Sequence, residues 1–149
     1  MSETLGIISR AIIVNKTKDK ILLVKNKDGD FWYPPGGNWE LEKESIKDCA
    51  IREAKEETGF DVKLLKFMYS QEFRNEKRGK AMIELFWLCE VEEKEINGHI
   101  DQDANGQVEL TQWFRKEDLQ DKVVFPEVLK NRFWEEIGAV LSEQDKFLK

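Results

Sequence analysis

Between Ile46 and Thr58 the chain makes two demands that conflict. At about 100° per residue, Ile46, Cys49, Ala50 and Ala54 form one apolar stripe of a helix, with Glu53 and Glu57 inside that stripe and Glu56 on its border. Lys47, Asp48, Arg52 and Lys55 mostly occupy the other sides, as solvated residues do. Carboxylates three and four residues apart repel by roughly 0.2–0.5 kcal/mol per pair, and an unpaired anion beside a core costs considerably more. A charge-rich surface helix would not place its acids on its own apolar stripe. The pattern therefore predicts something positive at that place, and a cluster of carboxylate oxygens suits a hard divalent cation such as Mg2+ or Mn2+.

The ends of this helix are legible. Ser45 followed by Asp48 has the pattern of a capping box, and Gly59 can adopt the left-handed conformation that closes a helix, so the spacing predicts a helix over Ile46–Thr58. The preceding stretch WYPPGGNWELEKE contains Pro34, Pro35, Gly36 and Gly37. These residues argue against regular structure and let backbone approach a ligand or ion closely. That loop leads directly into the acids.

The combination PPGG, Glu44 and REAKEETGF resembles the Nudix box, whose family pattern is GX5EX7REUXEEXGU. Glu44, Arg52, Glu53, Ala54, Glu56, Glu57, Gly59 and Phe60 match it; the departure is that six residues rather than five separate Gly37 from Glu44. The resemblance implies an α/β (α+β) fold of the Nudix type, an α/β/α sandwich with a mixed β-sheet between helices. It also implies hydrolysis of a nucleoside diphosphate linked to another group, X, with Mg2+ as cofactor and Mn2+ as a substitute. The implied metal ligands are Glu53, Glu56 and Glu57, with the Gly37 carbonyl and Glu44 as further members of the set. Arg52 would orient the acids, and Glu53 or a downstream acid would assist the attacking water. Glu109, four residues before Trp113, is the expected downstream acid because it opens a strand able to return beside the helix.

The remaining chain reads as one domain over residues 1–149, long enough to bury a full core. It contains no repeat, low-complexity tract or linker, and no apolar run long enough to span a bilayer. MSETLGIISR lacks the basic-then-apolar order of a signal peptide, and Cys49 and Cys89 both sit in apolar surroundings. The expectation is a soluble cytoplasmic protein with reduced, buried thiols and no membrane partner, either a monomer or a homodimer.

Residues 9–15 and 20–26 read as short strands, with longer extended segments over 61–74 and 81–92 and another strand over 107–114. The segment AMIELFWLCEV is apolar on both alternating sets and predicts a central strand covered on both faces. Residues 127–140 follow Pro126 with helical spacing. Two helices and about six strands make a sheet between helices.

Other chemistry has little support. His99 lies in a polar turn, and no Ser or Cys sits in an activating motif. Asp101–Gln112 has some calcium-loop positions but ends in Gln112 where a bidentate Glu belongs, and its flanks are not long amphipathic helices. A catalytically silent Nudix-like binding or sensor domain is a further alternative, disfavoured by retention of all three helix acids. The net charge of −6 disfavours nucleic-acid backbones and favours a free nucleotide held through metal. Phe31, Trp32, Tyr33 and Trp39 flank the glycine loop; Trp32 and Trp39 are taken as base-stacking residues, and Arg74 as a phosphate contact. The expected substrate is a nucleoside triphosphate, including oxidised or damaged ones, ahead of ADP-ribose and nucleotide sugars.

Overall fold

A computed structural model of the chain describes residues 4–27, 29–91 and 108–148, with the backbone alone for Val108 and Glu109. The described residues form seven strands: β1 (Thr4–Val14), β2 (Ile21–Asn26), β3 (Trp32–Tyr33), β4 (Gly36–Asn38), β5 (Lys63–Asn75), β6 (Lys80–Glu90) and β7 (Val108–Phe114). Two α-helices accompany them, α1 (Ile46–Thr58) and α2 (Arg132–Ser142). The strands form one mixed sheet in the order β3-β2-β1-β6-β5, with β4 also on β1 and β7 also on β2. β1 runs parallel to β6 over its whole length, and the other pairs are antiparallel.

Alternation along β1 divides the core in two. Ala11 and Ile13 pack with Ala50, Ala54, Trp87 and Cys89 under α1, whereas Ile12 and Val14 pack with Phe86, Leu88, Phe133 and Ile137 under α2. Side chains of a strand point to opposite faces, so two helices on two faces require apolar residues at both parities. β6, between β1 and β5, has Phe86, Trp87, Leu88 and Cys89 fully buried as the central-strand reading expects. The sandwich of helix, mixed sheet and helix is the architecture that the box implies.

α1 begins and ends where its sequence signals place it. The Asp48 N–H donates to Ser45 Oγ at 3.1 Å, and Gly59 closes the helix at φ 81° with its N–H on the Lys55 carbonyl. A buried polar chain fixes the first turn on the sheet: Trp87 Nε1 donates to Ser9 Oγ, which donates to the Ile46 carbonyl. Each of these polar groups is satisfied, so burying them costs little.

Two expectations are corrected. The Pro34–Gly37 region is not devoid of regular structure: Gly36–Asn38 forms a short strand against Ile8–Arg10, because the two glycines let backbone lie directly on β1. The second helix does not run unbroken over 127–140. A 3-10 turn, Glu127–Lys130, ends at Asn131 (φ −143°, ψ −90°), whose side chain accepts from Arg132 N and starts α2. Apolar spacing persists across this break, which is why periodicity alone reads one helix.

β1 and β2 stay paired only at Ile13–Leu22 and Val14–Ile21, after which β1 takes up β4 while β2 takes up β3. The sheet forks there, and residues on both branches of the fork, Arg10, Asn26, Tyr33 and Gly36 among them, line one cleft. His99 and residues 101–107 lie outside the described residues. Residues 108–112, the last five positions of the calcium-loop reading, belong to β7.

Candidate active site

The cleft has a volume of about 920 Å³ and a double lining: Arg52, Glu53, Glu56 and Glu57 from α1 on one side, and residues of β1, β5 and β6 on the other. Such a volume lies in the range that holds a nucleotide-sized ligand. Gly36 and Gly37 separate the two sides.

The glycine loop is wedged between strand and helix. A Cβ on Gly36 would lie 2.4 Å from Arg10 Cγ and 2.6 Å from the Ser9 carbonyl oxygen, and one on Gly37 would lie 2.5 Å from Glu53 Cδ. Only glycine allows this approach. As a result the Gly36 N–H donates to Glu57 Oε2 at 2.8 Å. Glu57 and Glu53, 7% and 9% exposed, are thus the buried acids of the stripe, and Glu56, with its side chain 34% exposed, faces the solvent side of the cleft.

Arg52 resolves the charge conflict read from the sequence. Its Nε and Nη2 donate to Glu44 Oε1 and Oε2 at 2.7 and 3.0 Å, a bidentate pair, while Nη1 donates to Glu53 Oε1 at 2.9 Å and to Glu56 at 3.2 Å. This guanidinium holds Glu44 at a pKa of about 2 and is itself raised by the Glu44 bond. Glu53 is raised instead, because burial outweighs the attraction of Arg52.

The longer loop before Glu44 does not remove that residue from the cluster. It turns back on itself, with Lys43 N on the Glu40 carbonyl, Glu40 N on Glu44 Oε2, and Trp39 Nε1 on the Glu44 carbonyl. The extra residue is taken up in this turn. Cys49 lies beneath the loop, its Sγ 3.5 Å from the Asn38 carbonyl, and burial pushes its thiol up to about 12.

The acids are the hard oxygen donors a divalent cation takes, and the Gly37 backbone lies close against the Glu53 carboxylate, so the donor chemistry fits Mg2+ or Mn2+. Among the described residues, no three His, Cys, Asp or Glu side chains are arranged to hold a metal ion as they stand. Arg52 lies between Glu53 and Glu56, and Glu57 accepts from the Gly36 N–H.

Several expected residues stand apart from the cleft. Trp32 is in the core, edge-on to Phe114 at 4.9 Å, because the short strand β3 turns it inward. Trp39 spends its indole N–H on the Glu44 carbonyl and supports the loop. Arg74 pairs with Glu72 at 2.9 Å and lines a separate shallow cavity at the far end of β1 and β6. The Glu109 side chain lies outside the described residues; its backbone neighbour Val108 pairs with Asn26, which lines the cleft.

The neighbouring aromatics Phe31 and Tyr33 do line the cleft, joined by Phe125, with Phe31–Tyr33 and Phe31–Phe125 centroids 5.6 and 5.2 Å apart. Sequence reasoning missed Arg10, Gln71 and Glu84. Glu84 is the one acid within IELFWLC, a segment read as buried on both faces, and Arg10 interrupts IISRAIIV. A charge inside an apolar strand is the same signal that singled out the acids of α1.

The sequence model of the NUDIX domain matches residues 7–133. The chain is 48% identical over 60 residues to the mRNA-decapping enzyme subunit 2 of Arabidopsis thaliana, a match covering 40% of this chain and 16% of that protein. It is 46% identical over 49 residues to a Nudix hydrolase of Bacillus subtilis named as uncharacterised, covering 33% and 30%. Among solved structures, an ADP-ribose pyrophosphatase from Streptococcus suis superposes with a TM-score of 0.59 at 26% identity, covering 96% of this chain and 97% of that one.

Proposed function

The chain belongs to the NUDIX family, and from that premise we propose that it hydrolyses the pyrophosphate linkage of a nucleoside diphosphate joined to a group X, with a nucleoside triphosphate, intact or damaged, as substrate and Mg2+ as cofactor. The observation that carries this reading is the seating of the glycine loop on the acids of α1 inside a nucleotide-sized cleft.

Glu53, Glu56, Glu57 and the Gly37 carbonyl would hold a divalent ion, which when bound would supply charge neutralisation to the phosphate oxygens. The protein's own groups do the positioning. Arg52, locked to Glu44, sets the orientation of Glu53 and Glu56. Gly36 N–H holds Glu57. Glu53 accepts the proton of the attacking water as a P–O bond forms and the bond to the leaving phosphate breaks. Glu109 is the alternative acceptor, as a strand acid opening β7.

ADP-ribose or a nucleotide sugar is the second reading for X, favoured by the near-complete superposition on a structure named as an ADP-ribose pyrophosphatase. Similarity to a protein named as a decapping enzyme subunit is confined to 40% of the chain. A net charge of −6 favours a free nucleotide over a polynucleotide. Residues 1–149 act as one catalytic domain, and no helix among the described residues is long and apolar enough to cross a membrane.

The test is mass spectrometry of products from nucleoside triphosphates, ADP-ribose, nucleotide sugars and dinucleoside polyphosphates in heavy-oxygen water with Mg2+. One labelled phosphate-bearing product per turnover is expected, and Glu57→Gln should lower kcat by more than about a hundredfold while staying folded. Absence of turnover across the panel, or near-normal turnover in Glu57→Gln, refutes the reading.

A further inference from the structure

The half of the cleft away from α1 contains an ion pair between the buried Glu84 and the half-buried Arg10 that the phosphate chemistry does not use. Arg10 Nε donates to Glu84 Oε2 at 2.5 Å, and Gln71 Nε2 donates to Glu84 Oε1 at 2.7 Å, so that β1, β6 and β5 each contribute one residue to a polar row across the sheet. Glu84 is 6% exposed and lines the cleft. A buried Arg–Glu pair adds little net stability over apolar residues of the same size, so its presence on a face otherwise occupied by core calls for a ligand-directed reason.

We propose that Glu84 and Arg10 form a subsite for the base of a guanine nucleotide, an assignment that rests on the nucleotide-hydrolase reading above and deepens it. Arg10 is neutralised by Glu84, and its Nη1 is committed to the Pro34 carbonyl at 3.1 Å. The pair therefore offers no net charge to a phosphate; it offers a donor beside an acceptor, which a neutral polar edge requires. Glu84 Oε2 accepts from Arg10 and Oε1 from Gln71, and a carboxylate oxygen can accept two hydrogen bonds. Two acceptors side by side match the adjacent N1–H and N2–H donors of guanine, with an Arg10 N–H for O6. Adenine, with an acceptor next to a donor, does not match. Planar walls are present for the ring: Phe73 on β5 and Phe125 after β7, 44% and 48% exposed, both border the cleft.

A site that hydrogen-bonds a polar edge discriminates strongly against an analogue lacking it. The test is calorimetric titration of the full chain with GMP, IMP, AMP and UMP in the absence of metal. GMP is expected to bind about tenfold or more tightly than AMP, with IMP, which lacks the 2-amino donor, weaker than GMP. In Glu84→Gln the preference for GMP over AMP should collapse, both in binding and in the ratio of kcat/KM for GTP and ATP. Equal affinity for GMP, IMP and AMP, or no saturable binding of any of them, overturns the subsite; because the IMP comparison uses the unaltered protein, the outcome does not depend on the variant folding. Turnover of nucleoside triphosphates in the same preparation reads the hydrolase assignment separately.

Discussion

Replacing Gly36 by alanine should damage both the fold and the site, whereas the same change one residue later should damage the site alone. At Gly36 an added Cβ would lie 2.4 Å from Arg10 Cγ, 2.6 Å from the Ser9 carbonyl oxygen and 2.7 Å from Arg10 Cα. Two of those three neighbours are β1 backbone, which cannot yield without breaking its parallel pairing with β6. Restoring ordinary contact requires β4 to back away by about 1 Å, which strains a packed core by roughly 1–3 kcal/mol. For a chain of this size that corresponds to a fall in Tm of roughly 2–12 °C. The same displacement pulls the Gly36 N–H off Glu57, now 2.8 Å away, so turnover should be lost with the stability. At Gly37 the three nearest atoms to the Cβ would all belong to the Glu53 carboxylate, at 2.5–2.6 Å, the far end of a side chain that can swing aside. Gly37→Ala should therefore melt within about 2 °C of the native chain while losing most activity. Calorimetric melting and initial rates on both variants decide the matter. A Gly36→Ala protein with native Tm and native turnover would refute the claim that this loop is wedged between strand and helix.

Gly59→Ala forces a left-handed residue with a Cβ at φ 81°, so a loss of roughly 1–2 kcal/mol and a Tm lower by roughly 2–8 °C are expected, with kcat unchanged; an unchanged melting curve would show that the helix end readjusts freely. A pH-dependent effect is expected at Asp19, which accepts from Asn15 and Thr17 and pairs with Arg115, and whose pKa is lowered from 3.8 to about 2, with the Asn15 bond as the largest cause. A depressed folded-state pKa contributes stability above the unfolded value that is lost as pH falls through the folded one. Native protein and Asp19→Asn should therefore differ most in urea midpoint above about pH 4 and converge towards pH 2; a gap that stays constant over this window would contradict the assignment.

How much of this was legible before folding depended on whether the signal was local. The bounds of α1 follow from Ser45 and Gly59, whose capping bonds involve residues within four positions. The anomalous placement of Glu53 and Glu57 follows from the 3.6-residue period, and needs no partner to be seen. The break at Asn131 was not legible, because the apolar spacing continues through it. Trp32 and Tyr33 are adjacent and chemically alike, yet one packs on Phe114 and the other lines the cleft; only the pairing of β3 with β2 decides which faces which way.

By itself, then, the sequence determined the acid-bearing helix, its caps, the glycines before it and the sandwich with a doubly covered central strand, since each is a matter of period and local backbone preference. Tertiary structure alone decided the rest: that Arg52 bridges Glu44 to the acids, that an extra loop residue is absorbed in a turn, and that Arg10, Gln71 and Glu84 meet across three strands. Arg10 and Glu84 are 74 positions apart. Contacts over such separations arise from strand order and register, here a parallel β1–β6 pairing and a fork between β1 and β2, which no local pattern encodes.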